Sequence, residues 1–335
     1  MRSIPKSTRR LSRRRVLLSS CLAGALALAV TSTLTAAAPA GSEVIRTRLY
    51  PIFAVPGYGS IWVGAHHGVV VYRINPATNK IVKTVSIHAT SCGQPAVGAG
   101  SVFVPDCIDE GGETLQIDAM TNKVVRKLPG GGPVFGYGSV WIPNHAGKAV
   151  LRIDPRSGVV LARISVMVSG VAGESCLGVA GGGSLWIGSD GDKTVTRIDT
   201  ATNTVTAVIP LAGAASGTSP GQGYAGGCEM AYAGGKAWYG NPAGIFEIDA
   251  ATNTATLLPI RIGNLAKWGD IVMTAGAGSV WARTSGDSVT RIDPATGNVI
   301  RTYPATGGGG GMSVAYNSLW IANAGADSTW REPLG

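Results

Sequence analysis

The chain has 335 residues, of which 45% are hydrophobic and 14% charged, with 49 glycines and a formal net charge of +9. The apolar share is enough for a large packed core and excludes a disordered chain, while the glycine content calls for many tight turns. The positive charge is concentrated at one end of the sequence.

Residues 1–40 carry seven of the 28 basic residues and none of the 19 acids. The basic positions precede an apolar run from Val16 to Val30, and Ala38-Pro-Ala40 then offers small-residue cleavage before Gly41, which is the order of a cleavable export signal. Ser12-Arg13-Arg14-Arg15-Val16-Leu17 reads as a twin-arginine signal, with a Sec signal of basic start as the alternative. Leu18-Ser-Ser-Cys21 matches a lipobox only formally, because most of the apolar run follows the cysteine. Without residues 1–40 the net charge falls to +2, which removes the electrostatic case for a nucleic-acid partner. No second apolar run is long enough for a transmembrane helix. The sequence therefore predicts a secreted or cell-envelope protein whose residues 41–335 form a single domain.

From residue 43 onward one pattern recurs. Its first unit, as in Gly57-Tyr-Gly-Ser-Ile-Trp62, ends on Trp62, Phe103, Trp141, Trp186, Trp238, Trp281 and Trp320, at spacings of 41, 38, 45, 52, 43 and 39 residues. Its third position is glycine or, once, Asn317, the residue types that accept the positive φ of a tight hairpin. A second unit follows, as in Arg73-Ile-Asn-Pro-Ala-Thr-Asn79 and Arg197-Ile-Asp-Thr-Ala-Thr-Asn203. Its Asp or Asn bonds to backbone in a turn and its last residue takes the left-handed position, so these aspartates are turn formers and not catalytic acids. Short β units at this period predict an all-β fold, a seven-bladed β-propeller of four-stranded blades. Strands A to D of each blade place the A–B and C–D turns on one face and the variable B–C and D–A connections on the other. The regularly spaced aromatics belong between neighbouring blades.

The last repeat ends without a D strand, and Glu43-Val-Ile-Arg-Thr47 matches the D strand Asn298-Val-Ile-Arg-Thr302. Pairing of Val44 to Tyr50 with the C-terminal blade is thus expected to close the ring and remove its exposed edges. Cys92 and Cys107 lie symmetrically about the turn at Ala99-Gly100 and are expected to face each other as a disulfide. Cys176 and Cys228 occupy equivalent places in adjacent blades and form a second candidate pair. No C-x-x-C motif occurs, which argues against redox or metal roles for these thiols.

Ligand chemistry is expected on the variable face. His66 and His145 each follow their blade's aromatic by four residues, a register that also holds Asp190, while His67, Asp106, Asn144 and Asn241 adjoin it. Two imidazoles with carboxylates supply weak candidates for a catalytic or metal site, namely His66, His145, Asp106 and Asp190. The Gly-, Ala- and Ser-rich stretch 212–227 lengthens one D–A connection, and Trp268 occupies the next, so both are candidate ligand contacts.

The G-x-G-S-x-W and R-I-D-P-A-T-N/G units resemble the YVTN/NHL-like group of bacterial propellers across residues 43–335. The repeat layout is also similar to that of streptogramin (virginiamycin B) lyase, and that resemblance implies a histidine base and metal-binding carboxylates in the later blades. The four histidines here are His66, His67, His88 and His145, so blades four to seven hold none. The reading favoured is a propeller that binds a small ligand or an envelope protein without chemistry and without a cofactor. A lyase-like enzyme with a divalent metal is the alternative.

Overall fold

The computed structural model describes residues 41–91, 93–106, 112–144, 148–166, 178–189, 191–215, 230–241, 243–260, 262, 271–284, 288–305 and 309–334. Contacts divide the chain after residue 34 into two units, and every described residue belongs to the second. The described strands form seven four-stranded antiparallel sheets, the blades of a β-propeller. Strand β1 is Glu43–Ile45. Blade 1 contains β2 to β5 (Pro51–Gly57, Ser60–Ala65, Val70–Asn75, Lys80–Ser86), and blade 2 contains β6 to β9 (Ala96–Gly98, Ser101–Asp106, Glu113–Asp118, Lys123–Pro129). Blade 3 contains β10 to β13 (Val134–Gly136, Ser139–Asn144, Ala149–Ile153, Val160–Ser165), and blade 4 contains β14 to β17 (Gly178–Gly181, Ser184–Ser189, Thr194–Asp199, Thr204–Pro210). Blade 5 contains β18 to β21 (Met230–Ala233, Lys236–Asn241, Gly244–Asp249, Thr254–Leu257), and blade 6 contains β22 to β25 (Ile271–Gly276, Ser279–Thr284, Ser288–Ile292, Val299–Pro304). Blade 7 contains β26 to β28 (Met312–Ala315, Ser318–Asn323, Ser328–Pro333) and takes β1 as its outer strand.

The hairpin of each repeat sets where its aromatic goes. At the first A–B turn Tyr58 and Gly59 have φ of +50° and +70°, the pair of left-handed residues that a two-residue hairpin with the correct twist requires. The aromatic three residues on is fully buried, and the described core divides into seven clusters that each contain one of these rings and side chains from two consecutive blades. Six of the rings are indoles, and each donates its Nε1–H to the carbonyl five residues earlier, across the hairpin, at 3.0–3.1 Å. The buried donor is thereby satisfied, which would otherwise cost about 1–3 kcal/mol.

Strand C supplies the partner that joins one blade to the next. Arg73 pairs with Trp62 across strands B and C, lies 5.0 Å over its ring, and donates from Nε to Ser60 Oγ at 2.7 Å. Its Nη1 then reaches the C–D turn of blade 2, donating to Ala119 O and Asn122 Oδ1 at 3.0 and 3.1 Å. Arg152 makes the same contacts to Asn203, Arg197 to Asn253, and Arg331 of blade 7 to Asn79 of blade 1. Where the next turn ends in glycine there is no such acceptor, and the strand C residue changes with it. Gln116 faces the Gly158 turn and donates to Ser101 Oγ and Pro155 O, while Glu247 precedes the Gly297 turn and pairs with Lys236 at 2.7 Å. The Asn or Gly at the end of each turn therefore follows from the residue on the preceding blade.

Closure follows the sequence expectation with a shorter strand. Glu43, Val44 and Ile45 pair with Arg331, Trp330 and Thr329, whereas the reading of Val44 to Tyr50 as strand extends too far. The chain must cross from the outer edge of blade 7 to the inner strand of blade 1, and Arg48, Leu49 and Tyr50 make that turn with φ of +48°, +57° and +61°. Asp327 holds them, accepting the Arg48 N–H on its carbonyl at 2.9 Å and the Tyr50 N–H on Oδ1 at 2.8 Å.

Two predictions test these contacts. Arg152→Lys keeps the charge but loses the planar fork, and should lower stability by about 2 kcal/mol in urea titrations, close to the value of a charged hydrogen bond. At the closure, burial pushes the Glu332 carboxyl up while the Ser42 hydroxyl that donates to it acts the other way. A raised folded pKa means a stabilising contribution that is complete below the unfolded value of about 4.3 and lost as pH rises through the folded value. Glu332→Gln should therefore melt higher than the parent at pH 7, and the difference should vanish in thermal scans near pH 4 and below.

Candidate functional site

On the face of the A–B and C–D turns, the repeated aspartates act as the sequence reading expects. Asp199 Oδ1 accepts the Ala201 and Thr202 N–H groups and the Thr202 hydroxyl at 2.7–3.0 Å. Asp118, Asp154 and Asp249 repeat the arrangement, and hydrogen bonds to the charged form hold all four carboxyls below the usual range. In each the Oδ1 atom is committed to the turn.

The opposite face carries the variable connections. His66 and His67 follow β3 directly and meet the crossing segment. The His67 ring stacks on Tyr50 at 4.8 Å, the two imidazoles are 5.2 Å apart, and His66 Nδ1 lies 2.9 Å from Ser91 O. Ser91 in turn forms a backbone bridge with Asp106, so His66 and Asp106 are brought close through Ser91. Asn144 closes β11 opposite Ala149. Asn241 is fully buried, and its side chain clamps Ala215 at the start of the long D–A connection, accepting the Ala215 N–H at 2.9 Å and donating to its carbonyl at 3.1 Å. His145, Asp190, Trp268, Cys92, Cys107, Cys176 and Cys228 lie outside the described residues, as does most of the 212–227 stretch.

Sequence reasoning missed two features of this end of the molecule. Arg283 stands where the other blades have Gly, Ala or Pro two residues after the aromatic, and it is fully buried. It donates to Gly310 O and Ala322 O at 2.8 Å and to Asn323 Oδ1 at 2.7 Å, fastening blade 6 to the entry of blade 7. The signal was visible as a break in the small-residue register of strand B.

The second feature is the wall of the central channel. Strands A of blades 2 to 6 and the residues leading into blades 2 and 3 line a channel of about 310 Å³ whose larger side chains are Phe135, Tyr232, Met230 and Met273, with Gln94 and Thr274 adding polar atoms. The glycine that opens each G-x-G-S motif makes this wall. A Cβ at Gly98 would lie 2.2 Å from the Phe135 ring of the next blade, and one at Gly181 would lie 2.1 Å from the Tyr232 ring. Five blades thus seat a strand A side chain of the neighbour over a position without a side chain, while blades 5 and 7 have Ala233 and Ala315 there. Gly98→Ala should force Phe135 off its seat and cost about 1–3 kcal/mol in chemical denaturation.

This geometry defines the class: a seven-bladed β-propeller with a central channel of mixed polar and apolar lining and a variable face. No family model and no curated protein matches the chain. Solved structures do. The chain is similar to BamB from Moraxella catarrhalis at 11% identity and a TM-score of 0.56, over 84% of each chain. It is similar to the RRP9 WD40 repeats at 11% identity and a TM-score of 0.70, over 89% of this chain and 98% of that one. It also resembles Kuenenia stuttgartiensis hydrazine synthase at 13% identity and a TM-score of 0.65, over 87% of this chain and 97% of that one. At such identities the likeness establishes the fold alone. Among the described residues no helix is long and apolar enough to cross a membrane, and no group of three or more His, Cys, Asp or Glu side chains could hold a metal ion.

Proposed function

We propose that the chain is an exported or envelope β-propeller of the YVTN/NHL-like kind that binds a ligand or protein partner without chemistry. The observation that carries this reading is the channel, about 310 Å³ of space between strands A of five blades. The Phe135 and Tyr232 rings stand there beside Gln94 and Thr274 and the accessible surface is more polar than apolar, so the channel has room for a small ligand with polar groups. The variable face beside it supports the same reading, because Asn241 is committed to backbone and His66 engages the Ser91 carbonyl. Export into an oxidising compartment fits a Cys92–Cys107 bridge.

A thermal-shift screen of metabolites and short peptides tests the proposal. Ligands that raise the melting temperature should lose the effect in Thr274→Trp, which puts an indole into the channel. Metal analysis of the purified protein should find no stoichiometric ion. Ligands that all survive the substitution, or a stoichiometric metal, would contradict the reading.

A further inference from the structure

The outer strands carry a pattern that neither the channel nor the closure uses. In five blades the pairing of strands C and D slips by one residue, leaving Val82, Val125, Leu161, Thr206 and Ile300 as the extra residues. A bulge leaves its extra residue unpaired and re-aims the side chain, and the four aliphatic ones are 52–54% exposed. Each aliphatic has a cation beside it: Lys83 follows Val82, Arg126 follows Val125, Arg163 stands two residues after Leu161, and Arg301 follows Ile300. In blade 4 the bulge residue is Thr206, and β17 has no charge. In blade 5, β21 pairs without a slip and is also uncharged. Aliphatic tip and cation are therefore present or absent together.

They concentrate on consecutive blades. Strands β5, β9 and β13 carry Lys80, Lys83, Lys123, Arg126, Lys127 and Arg163 and no acid. Glu113 on β8 lies 2.6 Å from Lys127, Asp118 stands opposite Lys123, and Arg126 donates to Gln116 Oε1 and to Arg156 O. Arg301 of blade 6 is separated from the arc by blade 7, whose outer strand carries Glu43, and it lies over the Tyr303 ring at 4.6 Å. Lysines and bulges on outer strands also discourage edge-to-edge pairing. That role requires no aliphatic side chain at the tip of the bulge, where a threonine serves as well, as in blade 4.

We propose that the outer rim of blades 1 to 3 docks on an anionic phospholipid surface. Val82, Val125 and Leu161 enter the interfacial region while Lys80, Lys83 and Lys123 meet headgroup phosphates. Interfacial binding of this kind needs both components, shallow apolar burial and electrostatic attraction, and a Lys or Arg near an anionic leaflet contributes about 1 kcal/mol.

The test is co-sedimentation of the full chain with vesicles of mixed phosphatidylglycerol and phosphatidylcholine and with vesicles of phosphatidylcholine alone. Residues 1–40 contribute equally to every variant, so differences report the rim. The triple substitution Lys80→Gln, Lys83→Gln, Lys123→Gln should lower partition onto the anionic vesicles about a hundredfold. Thr204→Glu, Thr206→Glu, Thr254→Glu makes the same change in net charge on blades 4 and 5 and should leave partition near that of the parent. Val82→Thr, Val125→Thr, Leu161→Thr should lower it severalfold and leave its salt dependence unchanged. Equal losses from the two charge sets, no loss from the lysine set, no loss from the bulge set, or equal binding to the uncharged vesicles would each overturn the proposal.

Discussion

The structure depends on one repeated clasp, an arginine lying over a buried indole and reaching the turn of the next blade. Each of its parts answers a separate requirement. The indole fills the gap between blades and satisfies its own N–H across the hairpin. The guanidinium covers the ring, takes the motif serine on Nε and has Nη1 left to bridge to a neighbour. That bridge links Arg331 to Asn79, residues 252 positions apart, so the contact found between blades 1 and 2, 3 and 4, and 4 and 5 also joins the last blade to the first. Planar, multidentate donation of this kind is specific to arginine, which explains why strand C carries arginine in the four blades that meet a turn asparagine and Gln116 or Glu247 where the next turn has glycine.

Division of labour between surfaces follows from the clasp. The face with the A–B and C–D turns is used for holding the ring together, since its aspartates, asparagines and arginines bond within turns or between blades. The channel wall, the variable connections and the outer strands lie outside the clasp, and the proposed binding falls to them. The wall is shaped by the same neighbour-to-neighbour logic. A side chain such as Phe135 or Tyr232 sits over a glycine of the preceding blade, so a change in a lining residue is felt as packing between blades as well as in the channel.

Much of the fold was legible in the sequence because propeller blades repeat in register. The indole spacing, the turn units and the match between Glu43–Thr47 and Asn298–Thr302 are local signals, and they specified blade number, strand order and closure. The end of the closing strand was not legible, since Arg48 to Tyr50 adopt left-handed φ only because Asp327 holds them. The covariation of Arg with the next turn's Asn was present in the letters but carried no meaning until the two were in contact. The candidate site was less legible. His66 and Asp106 come near each other through Ser91, and Asn241, chosen as a ligand contact, binds the backbone of Ala215. Arg283 and the channel glycines were missed, because burial and contacts between blades depend on the curvature of the ring.

A double-mutant cycle between Arg331 and Asn79 tests the central claim most directly, since no local structure joins these residues. Stability is measured for the parent, Arg331→Gln, Asn79→Gly and the double variant, a set that recreates the pairing found between blades 2 and 3. The account predicts a coupling of about 1–2 kcal/mol, with the double variant more stable than the sum of the single effects implies. Additive effects, within about 0.3–0.5 kcal/mol, would contradict the claim that the clasp joins blade 7 to blade 1.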